Sequence, residues 1–218
     1  MRLSERVARL GTETAFEVLA RARALEARGR HVIHLEIGEP DFDTPKSVTE
    51  AGIAALRGGA THYGPPPGLP ELRAAIALDS TRHRGTPATP EMVVVTPGAK
   101  PILFFVVLAL VDPGDEVVVP DPGFPIYESL VRYMGAVPVP VRFLEERGFE
   151  MDVDQLVGRI TNKTRLVILN APHNPTGGVI SEDGLRAIAA AAAKFGVPVL
   201  SDEIYSRILY EEIGRAHV

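Results

Sequence analysis

The sequence predicts an α/β fold in which a mostly parallel sheet lies between two layers of helices. From about residue 92 onward, short apolar segments rich in β-branched residues alternate with segments of helical character. The apolar segments lack polar alternation, which is typical of strands that are buried on both faces. Turn residues such as Pro113 and Gly114 separate the segments. The predicted architecture is therefore a three-layer α/β/α domain.

The part of the chain before residue 92 contains mostly predicted helices and loops. Its first apolar residues recur at three- and four-residue spacings, as in an amphipathic helix. A Gly/Pro-rich loop extends through Gly68, and proline at position 70 suits the first turn of a helix. We predict helices at 1–30, at 46–57 and from about Pro70, with one short strand at 32–37.

The regular part of the chain is predicted to contain five strands. They are assigned to Met92–Thr96, Glu116–Val119, Ala136–Val141, Arg165–Leu169 and Val197–Leu200. The helices between them are assigned from just after Gly98 to Val111, and to Pro125–Tyr133, Asp152–Arg159 and Ser181–Phe195. Ser181 suits an N-cap because its hydroxyl can accept a hydrogen bond from a free backbone N–H at the helix start.

Composition and charge exclude several classes of protein. The chain has 218 residues, with 23 Lys plus Arg against 28 Asp plus Glu, and its net charge of −5 gives no electrostatic basis for a nucleic-acid partner. The absence of cysteine excludes disulfides and thiol catalysis, and no histidine pair has metal-ligand spacing, so no metal is predicted. The longest apolar run, 102–111, is roughly half of what crosses a bilayer, and residues 1–30 contain no secretory signal. We expect a soluble, cytoplasmic protein without a membrane partner.

Four of the predicted strands are followed by residues that can hold a ligand. In an open α/β sheet, ligands bind beyond the carboxyl ends of the strands. After these ends come a helix start at Gly98, Ala99 and Lys100, the aromatic Phe124, the amide Asn174, and the pair Asp202 and Tyr205. Helix-start amides suit an anion, and an aromatic side chain suits a flat ring. The sequence therefore predicts a site for a flat, anionic, heteroaromatic ligand.

Each of these residues also has a purely structural interpretation. Phe124 could anchor a loop between its flanking prolines, and Asp202 could cap a helix that begins at Ile204. Asp202 is nevertheless the strongest candidate, because a carboxylate after a buried strand is costly to desolvate unless a cation faces it. The absence of GxGxxG disfavours a dinucleotide site, and the absence of GxSxG disfavours a hydrolase.

Five segments of the chain occur in the order and spacing of a known family. They are LEIGEPDFDTP (35–45), HYGPPPGLPELRAAIA (62–77), DPGDEVVVPDPGFPIY (112–127), NAPHNPTGG (170–178) and SDEIY (201–205). In these segments the chain resembles the class I/II aminotransferases, the fold-type-I enzymes that use pyridoxal phosphate. The resemblance extends from about residue 5 to residue 211, and it implies transfer of an amino group from an amino acid to a 2-oxo acid.

The resemblance implies a role at the cofactor for each candidate residue. Asp202 would pair with the pyridine nitrogen and keep it protonated. Tyr205 and Asn174 would hydrogen-bond the phenolic oxygen of the cofactor, which makes Asp202 and Tyr205 the two implied catalytic residues. Phe124 would lie on the face of the ring, and the backbone amides around 98–100 would receive the phosphate.

The resemblance also implies contacts to the substrate and to a second subunit. Gly38 would approach the substrate carboxylate, with Asn174 as the other substrate-binding residue. Tyr63 would reach the phosphate of the neighbouring subunit, because sites of this family are built across a homodimer. Two alternatives remain open: a pyridoxal-phosphate-dependent lyase or synthase of the same fold, and a non-catalytic pseudoenzyme or ligand-binding domain.

The lysine that the family requires does not occur in the chain. The family places this Schiff-base lysine in a Ser/Thr-x-x-Lys segment past the Asp-x-x-Tyr motif. The lysines of the chain are Lys46, Lys100, Lys163 and Lys194, and none stands in such a segment. We therefore expect that the chain is a C-terminally truncated fragment and that it is inactive alone.

The resemblance divides the chain into three parts. Residues 1–45 are the predicted N-terminal helix and a segment associated with a small domain. Residues 46–211 are the predicted large, cofactor-binding domain, which we expect to be incomplete. Residues 212–218, EIGRAHV, depart abruptly from the family pattern, and we interpret them as a non-native tail such as a sequencing adapter joined to the gene would encode.

Overall fold

A five-stranded sheet forms the centre of the molecule. The computed structural model describes residues 2–11, 14–40 and 42–209. The strands, in chain order, are β1 Glu116–Asp121, β2 Val137–Leu144, β3 Glu150–Met151, β4 Thr164–Asn170 and β5 Val199–Asp202. Their spatial order is β3-β2-β1-β4-β5. All neighbouring pairs are parallel except β2 with β3, which are antiparallel.

Seven α-helices accompany the sheet within the described residues. They are α1 Thr14–Glu26, α2 Lys46–Arg57, α3 Pro70–Arg84, α4 Lys100–Leu110, α5 Pro125–Tyr133, α6 Val153–Arg159 and α7 Glu182–Phe195. Short 3-10 turns occur at Glu5–Arg9, Pro90–Met92 and Glu145–Arg147. No helix in the described part of the chain is both long and apolar enough to span a membrane.

Side chains that alternate along β1 and β4 build two separate cores on the two faces of the sheet. Val117 and Val119 of β1 pack with α4 and α5, whereas Val118 packs with α6 and α7. β4 divides in the same way, with Leu166 and Ile168 in the first core and Val167 and Leu169 in the second. Burial of each such side chain contributes about 1.5–3 kcal/mol. The predicted three-layer α/β/α arrangement is confirmed.

Local capping determines where the two helices of the second core begin. Ser181 Oγ accepts a hydrogen bond from Gly184 N at 3.2 Å at the start of α7. Asp152 Oδ1 accepts one from Gln155 N at 2.9 Å at the start of α6. Asp152 is therefore the N-cap of the predicted helix rather than its first residue. α7 ends at Gly196, whose φ of 65° lies in the left-handed region that glycine tolerates.

Two of the predicted strands are wrong. Residues 32–37 and 92–96 carry β-branched residues but form no strand. A strand needs a hydrogen-bonded neighbour, and among the described strands none lies beside either segment. Val95 N instead donates a single hydrogen bond to Pro67 O, and Ile33 and Val94 remain largely exposed. The sequence pattern indicated the apolar character of these segments, but it did not indicate whether a neighbouring strand would pair with them.

The N-terminal helix is shorter than predicted, and its preceding segment docks elsewhere. The 3-10 turn Glu5–Arg9 replaces the first part of the predicted helix, and α1 begins at Thr14. Gly11 N donates a hydrogen bond to Ser129 Oγ of α5 at 2.9 Å, and the Arg6 guanidinium lies 5.9 Å from the Tyr133 ring centre. The predicted tail at 212–218 lies outside the described residues.

Candidate active site

Three neighbouring parallel strands bring polar residues to one edge of the sheet. β1, β4 and β5 end at Asp121, Asn170 and Asp202, and Asn170 is in register with Asp202. Since the strands are parallel, their carboxyl ends and the loops that follow them meet at this edge. Two of these loops carry Phe124 and Asn174. The order of the strands therefore brings these predicted positions to the same edge of the sheet.

Asp202 presents a half-buried carboxylate that only neutral groups contact. Tyr127 Oη donates a hydrogen bond to Asp202 Oδ2 at 2.7 Å, and Ile204 N donates a longer one to Oδ1 at 3.3 Å. No Lys, Arg or His of the described residues lies within ion-pair distance of this carboxylate. Residues 204–207 form a turn, so Asp202 does not cap a helix there. The carboxylate therefore has an unmet capacity for a cationic donor.

Tyr127 is one of the most deeply buried side chains of the site. It is 2 % exposed and packs in the core beneath α5. Burial first, then the hydrogen bond to Asp202, raises the pKa of the Tyr127 hydroxyl well above its usual range, so the hydroxyl remains a donor. The Phe124 ring meets the Tyr127 ring edge-to-face, with centroids 5.8 Å apart. Tyr205 is half-buried and lies near enough to Tyr127 to interact with its hydroxyl electrostatically, which places it at the same edge.

Asn170 joins the end of β5 to the loop that carries Asn174. Asn170 Nδ2 donates to the backbone oxygen of Asp202 at 3.0 Å, and Asn170 Oδ1 accepts from Asn174 N at 2.8 Å. Asn170 is almost fully buried, so these bonds have no competition from water. The Asn174 side-chain amide makes no hydrogen bond to the described part of the chain. That amide is available to a ligand.

His173 fixes the other side of the same loop. Its ring stacks on Phe143 with centroids 3.7 Å apart, and its Nδ1 lies 2.8 Å from Thr176 Oγ1. Its backbone N–H donates to Gly178 O at 2.8 Å, and Gly177 N donates to its carbonyl oxygen at 2.8 Å. Burial lowers the pKa of His173 to about 4, against a smaller opposing effect of the Pro122 backbone. His173 is therefore a neutral residue that holds the loop in shape.

The start of α4 offers backbone N–H groups beside Phe124. Gly98 has a φ of 90°, which a residue with a Cβ adopts only with strain. No side chain caps α4 at Ala99, and Gly98, Ala99 and Lys100 are all exposed. The Lys100 ammonium lies 5.6 Å from the centre of the Phe124 ring. The Gly98 amide already donates to Thr96 O at 2.8 Å, so an anionic group placed here would meet the amides that follow it at the helix start, the positive end of the helix dipole and a nearby cation.

Two predicted positions form no hydrogen bond or ring contact with this cluster within the described residues. Tyr63 and Gly38 are both exposed, and a Cβ added to Gly38 would meet no atom within 4 Å. The described residues themselves therefore leave room for a side chain at position 38. The roles of Gly38 and Tyr63 stay predictions.

Sequence reasoning did not assign roles to Tyr127 and Asn170. Both lay within the quoted segments: Asn170 is the one polar residue ending the buried strand β4, and Tyr127 follows Phe124 by three residues on α5. Polarity at the end of an apolar strand was the available signal for Asn170. Nothing local distinguished Tyr127 from a core aromatic.

Comparisons with known proteins place the chain in one family. The sequence profile described as aminotransferase class I and II matches residues 30–217. The chain is 44% identical over 209 residues to a probable aspartate/prephenate aminotransferase of Thermus aquaticus, a match that covers 96% of this chain and 55% of that protein. It is 39% identical over 218 residues to an aspartate aminotransferase of Geobacillus stearothermophilus, covering 100% of this chain and 55% of that protein.

Solved structures agree with the sequence comparisons. An aspartate aminotransferase from Thermus thermophilus with maleate superposes with a TM-score of 0.94 at 42% identity, covering 100% of this chain and 57% of that one. An alanine aminotransferase from Pyrococcus furiosus gives a TM-score of 0.94 at 37% identity, covering 99% of this chain and 56% of that one. The chain spans about half the length of the relatives it matches.

Proposed function

The chain belongs to the class I and II aminotransferase family, and we propose that the protein transfers an amino group between an amino acid and a 2-oxo acid with pyridoxal 5'-phosphate as cofactor. When bound, this cofactor supplies a protonated pyridine ring that accepts the electrons released when the substrate Cα–H bond breaks. The observation that carries the proposal is the Asp202 carboxylate, half-buried at the sheet edge and contacted by neutral donors only.

The chemistry of Asp202 fits a protonated ring nitrogen. A half-buried carboxylate without a cation is costly, and a pyridinium N–H supplies both the missing charge and a hydrogen bond. The hydrogen bond from Ile204 N to Oδ1 is long at 3.3 Å, which leaves that oxygen with capacity for a further donor. Asp202 would thus keep the ring nitrogen protonated, and this is its proposed catalytic role.

The surrounding residues fit the rest of the cofactor. Phe124 offers an aromatic face beside Tyr127, the residue that binds Asp202, and the unengaged Asn174 amide can donate to an anionic ring oxygen. We assign the same acceptor to the Tyr205 hydroxyl. The uncapped start of α4 suits the phosphate. Gly98 allows the positive φ of the turn before α4 and adds no side chain there.

The substrate and the assembly are proposed more broadly. The relatives are named for aspartate/prephenate, asparagine and alanine, so the proposal is limited to an amino acid donor and a 2-oxo acid acceptor. We further propose a cytoplasmic homodimer in which Tyr63 reaches the phosphate of the neighbouring subunit and Gly38 lies near the substrate carboxylate. The complete exposure of Tyr63 supports a role outside its own subunit.

The test removes the Asp202 carboxylate from the protein expressed from its complete reading frame. We expect Asp202→Ala and Asp202→Asn to lower the rate of amino transfer by about 100-fold or more, because one preorganised electrostatic contact is lost. Cofactor binding should weaken without disappearing, since the ring and phosphate contacts remain. The measurements are 2-oxo acid formation with a panel of amino donors and cofactor binding by fluorescence.

Asp154→Ala serves as the matched control, because Asp154 is an exposed carboxylate on α6, which packs on the opposite face of the sheet from α4 and α5. Its activity should equal that of the unmodified protein. Near-normal turnover in both Asp202 variants would remove Asp202 from its proposed role. An unmodified protein that forms no 2-oxo acid with any donor, although it binds the cofactor, would favour the lyase, synthase or non-catalytic alternatives.

A further inference from the structure

Tyr127 contributes a buried hydroxyl for which the family resemblance gave no role. Resting on the proposed function, we propose that Tyr127 is a positioning residue that holds the Asp202 carboxylate in the orientation needed by the cofactor ring nitrogen. The hydroxyl acts through Asp202 and does not itself touch the substrate. The two residues are separated by 75 positions in the sequence and meet only because α5 lies over the edge of the sheet.

The hydrogen bond between the two side chains has the geometry of a strong contact. Tyr127 Oη lies 2.7 Å from Asp202 Oδ2, a distance usual for a hydroxyl donating to an ionised carboxylate. The Tyr127 ring is locked by core packing and by the edge-to-face contact with Phe124. The donor is therefore fixed in place before any ligand arrives.

The Asp202 carboxylate has few other restraints. Its backbone is held by Asn170 Nδ2 and by Ala171 N, which donate to the Asp202 carbonyl oxygen at 3.0 and 3.3 Å. These bonds fix the main chain but leave the carboxylate free to rotate about its last bond. The other side-chain contact within the described residues is the long bond from Ile204 N. Tyr127 thus supplies the main restraint on the orientation of the carboxylate.

A phenol suits this task better than a cationic side chain would. An arginine or lysine bound to Asp202 would compensate its negative charge and compete with a protonated ring nitrogen. The Tyr127 hydroxyl is neutral, and burial together with Asp202 raises its pKa, so it stays protonated. It orients the carboxylate while leaving its charge available to the ring.

The test compares Tyr127→Phe with Tyr133→Phe in the protein expressed from its complete reading frame. Tyr127→Phe removes the hydroxyl and keeps the ring, whereas Tyr133→Phe removes a hydroxyl from the same helix away from Asp202. We expect Tyr127→Phe to lower the pH midpoint at which the ring nitrogen of the bound cofactor loses its proton, because the protonated nitrogen loses a fixed partner. The midpoint is followed by the cofactor absorbance. We also expect about a tenfold lower kcat with little change in KM, as for loss of one charge-assisted hydrogen bond. Tyr133→Phe should change neither.

A double-mutant cycle with Asp202→Asn tests whether Tyr127 acts through Asp202. In the Asp202→Asn protein, Tyr127→Phe should have almost no further effect on the pH midpoint or on cofactor affinity. Additive effects would overturn the inference. So would an unchanged or raised midpoint in Tyr127→Phe, and so would a Tyr127→Phe protein that only loses thermal stability or fails to fold, since the hydroxyl would then serve the fold. An unmodified protein that does not bind pyridoxal phosphate would instead refute the proposed function.

Discussion

Acidification should destabilise the protein through His173, a buried histidine in the loop after β4. His173 is 3 % exposed, stacks on Phe143, and directly precedes Asn174. The perturbation is a decrease of pH from 7 to 5, applied to the unmodified protein and to His173→Gln. Glutamine carries a polar amide but takes up no proton in this range.

The sign and the size of the effect follow from the pKa of His173. Its pKa is lowered from an ordinary 6.5 to about 4 by burial. Between these values the unfolded chain binds a proton that the folded protein does not, so the free energy of unfolding falls as the pH falls. His173 thereby lowers the free energy of unfolding by about 2 kcal/mol between pH 7 and pH 5, and by about 3 kcal/mol between pH 7 and pH 4.

The assay is urea unfolding of the protein expressed from its complete reading frame, followed by circular dichroism at both pH values. Carboxylates also titrate in this range, so the informative quantity is the difference between the pH dependences of the two proteins. The unmodified protein should lose about 2 kcal/mol more than His173→Gln on going to pH 5. His62→Gln, which replaces an exposed histidine, should behave as the unmodified protein does.

Equal losses of unfolding free energy on acidification in the unmodified protein and in His173→Gln would refute the reasoning. That result would mean that His173 is protonated in the folded state, so that burial against Phe143 does not exclude the charge. A larger loss in His173→Gln would refute it as well.

Two further predictions concern assembly and the behaviour of the chain alone. If Tyr63 serves the neighbouring subunit, mixing the Tyr63→Phe protein with the Asp202→Ala protein should restore activity. One of the two sites in each hybrid dimer then holds both native residues. Hybrids that form without restored activity would show that Tyr63 has a structural role only. The 218-residue chain expressed by itself is expected to be inactive and either aggregated or without a cooperative thermal transition, because β5 pairs only with β4 among the described strands and α4 exposes the apolar side chains Ile102, Phe105 and Leu108. Size-exclusion chromatography and thermal unfolding measure this, and a monodisperse species with a sharp transition would contradict it.

The sequence by itself determined the elements that depend on local chemistry. The helix at Pro125–Tyr133 has the bounds predicted for it, and Ser181 caps α7 as expected, because propensity and capping act over a few residues. Phe124, Asn174 and Asp202 were predicted to share one edge of the sheet, since parallel strands place their carboxyl ends together. The strand β4 was predicted to within one residue at each end from its apolar run.

Only the tertiary structure decided which segments pair and which side chains meet. Residues 92–96 have the composition of a strand but no neighbour in the described sheet, so pairing and not propensity determined their conformation. The bond from Tyr127 to Asp202 and the stacking of His173 on Phe143 join residues far apart in the chain. Such contacts depend on how the strands are ordered and on how α5 packs over them. Sequence periodicity indicates which face of each element is buried, but it contains no information about the element that covers this face.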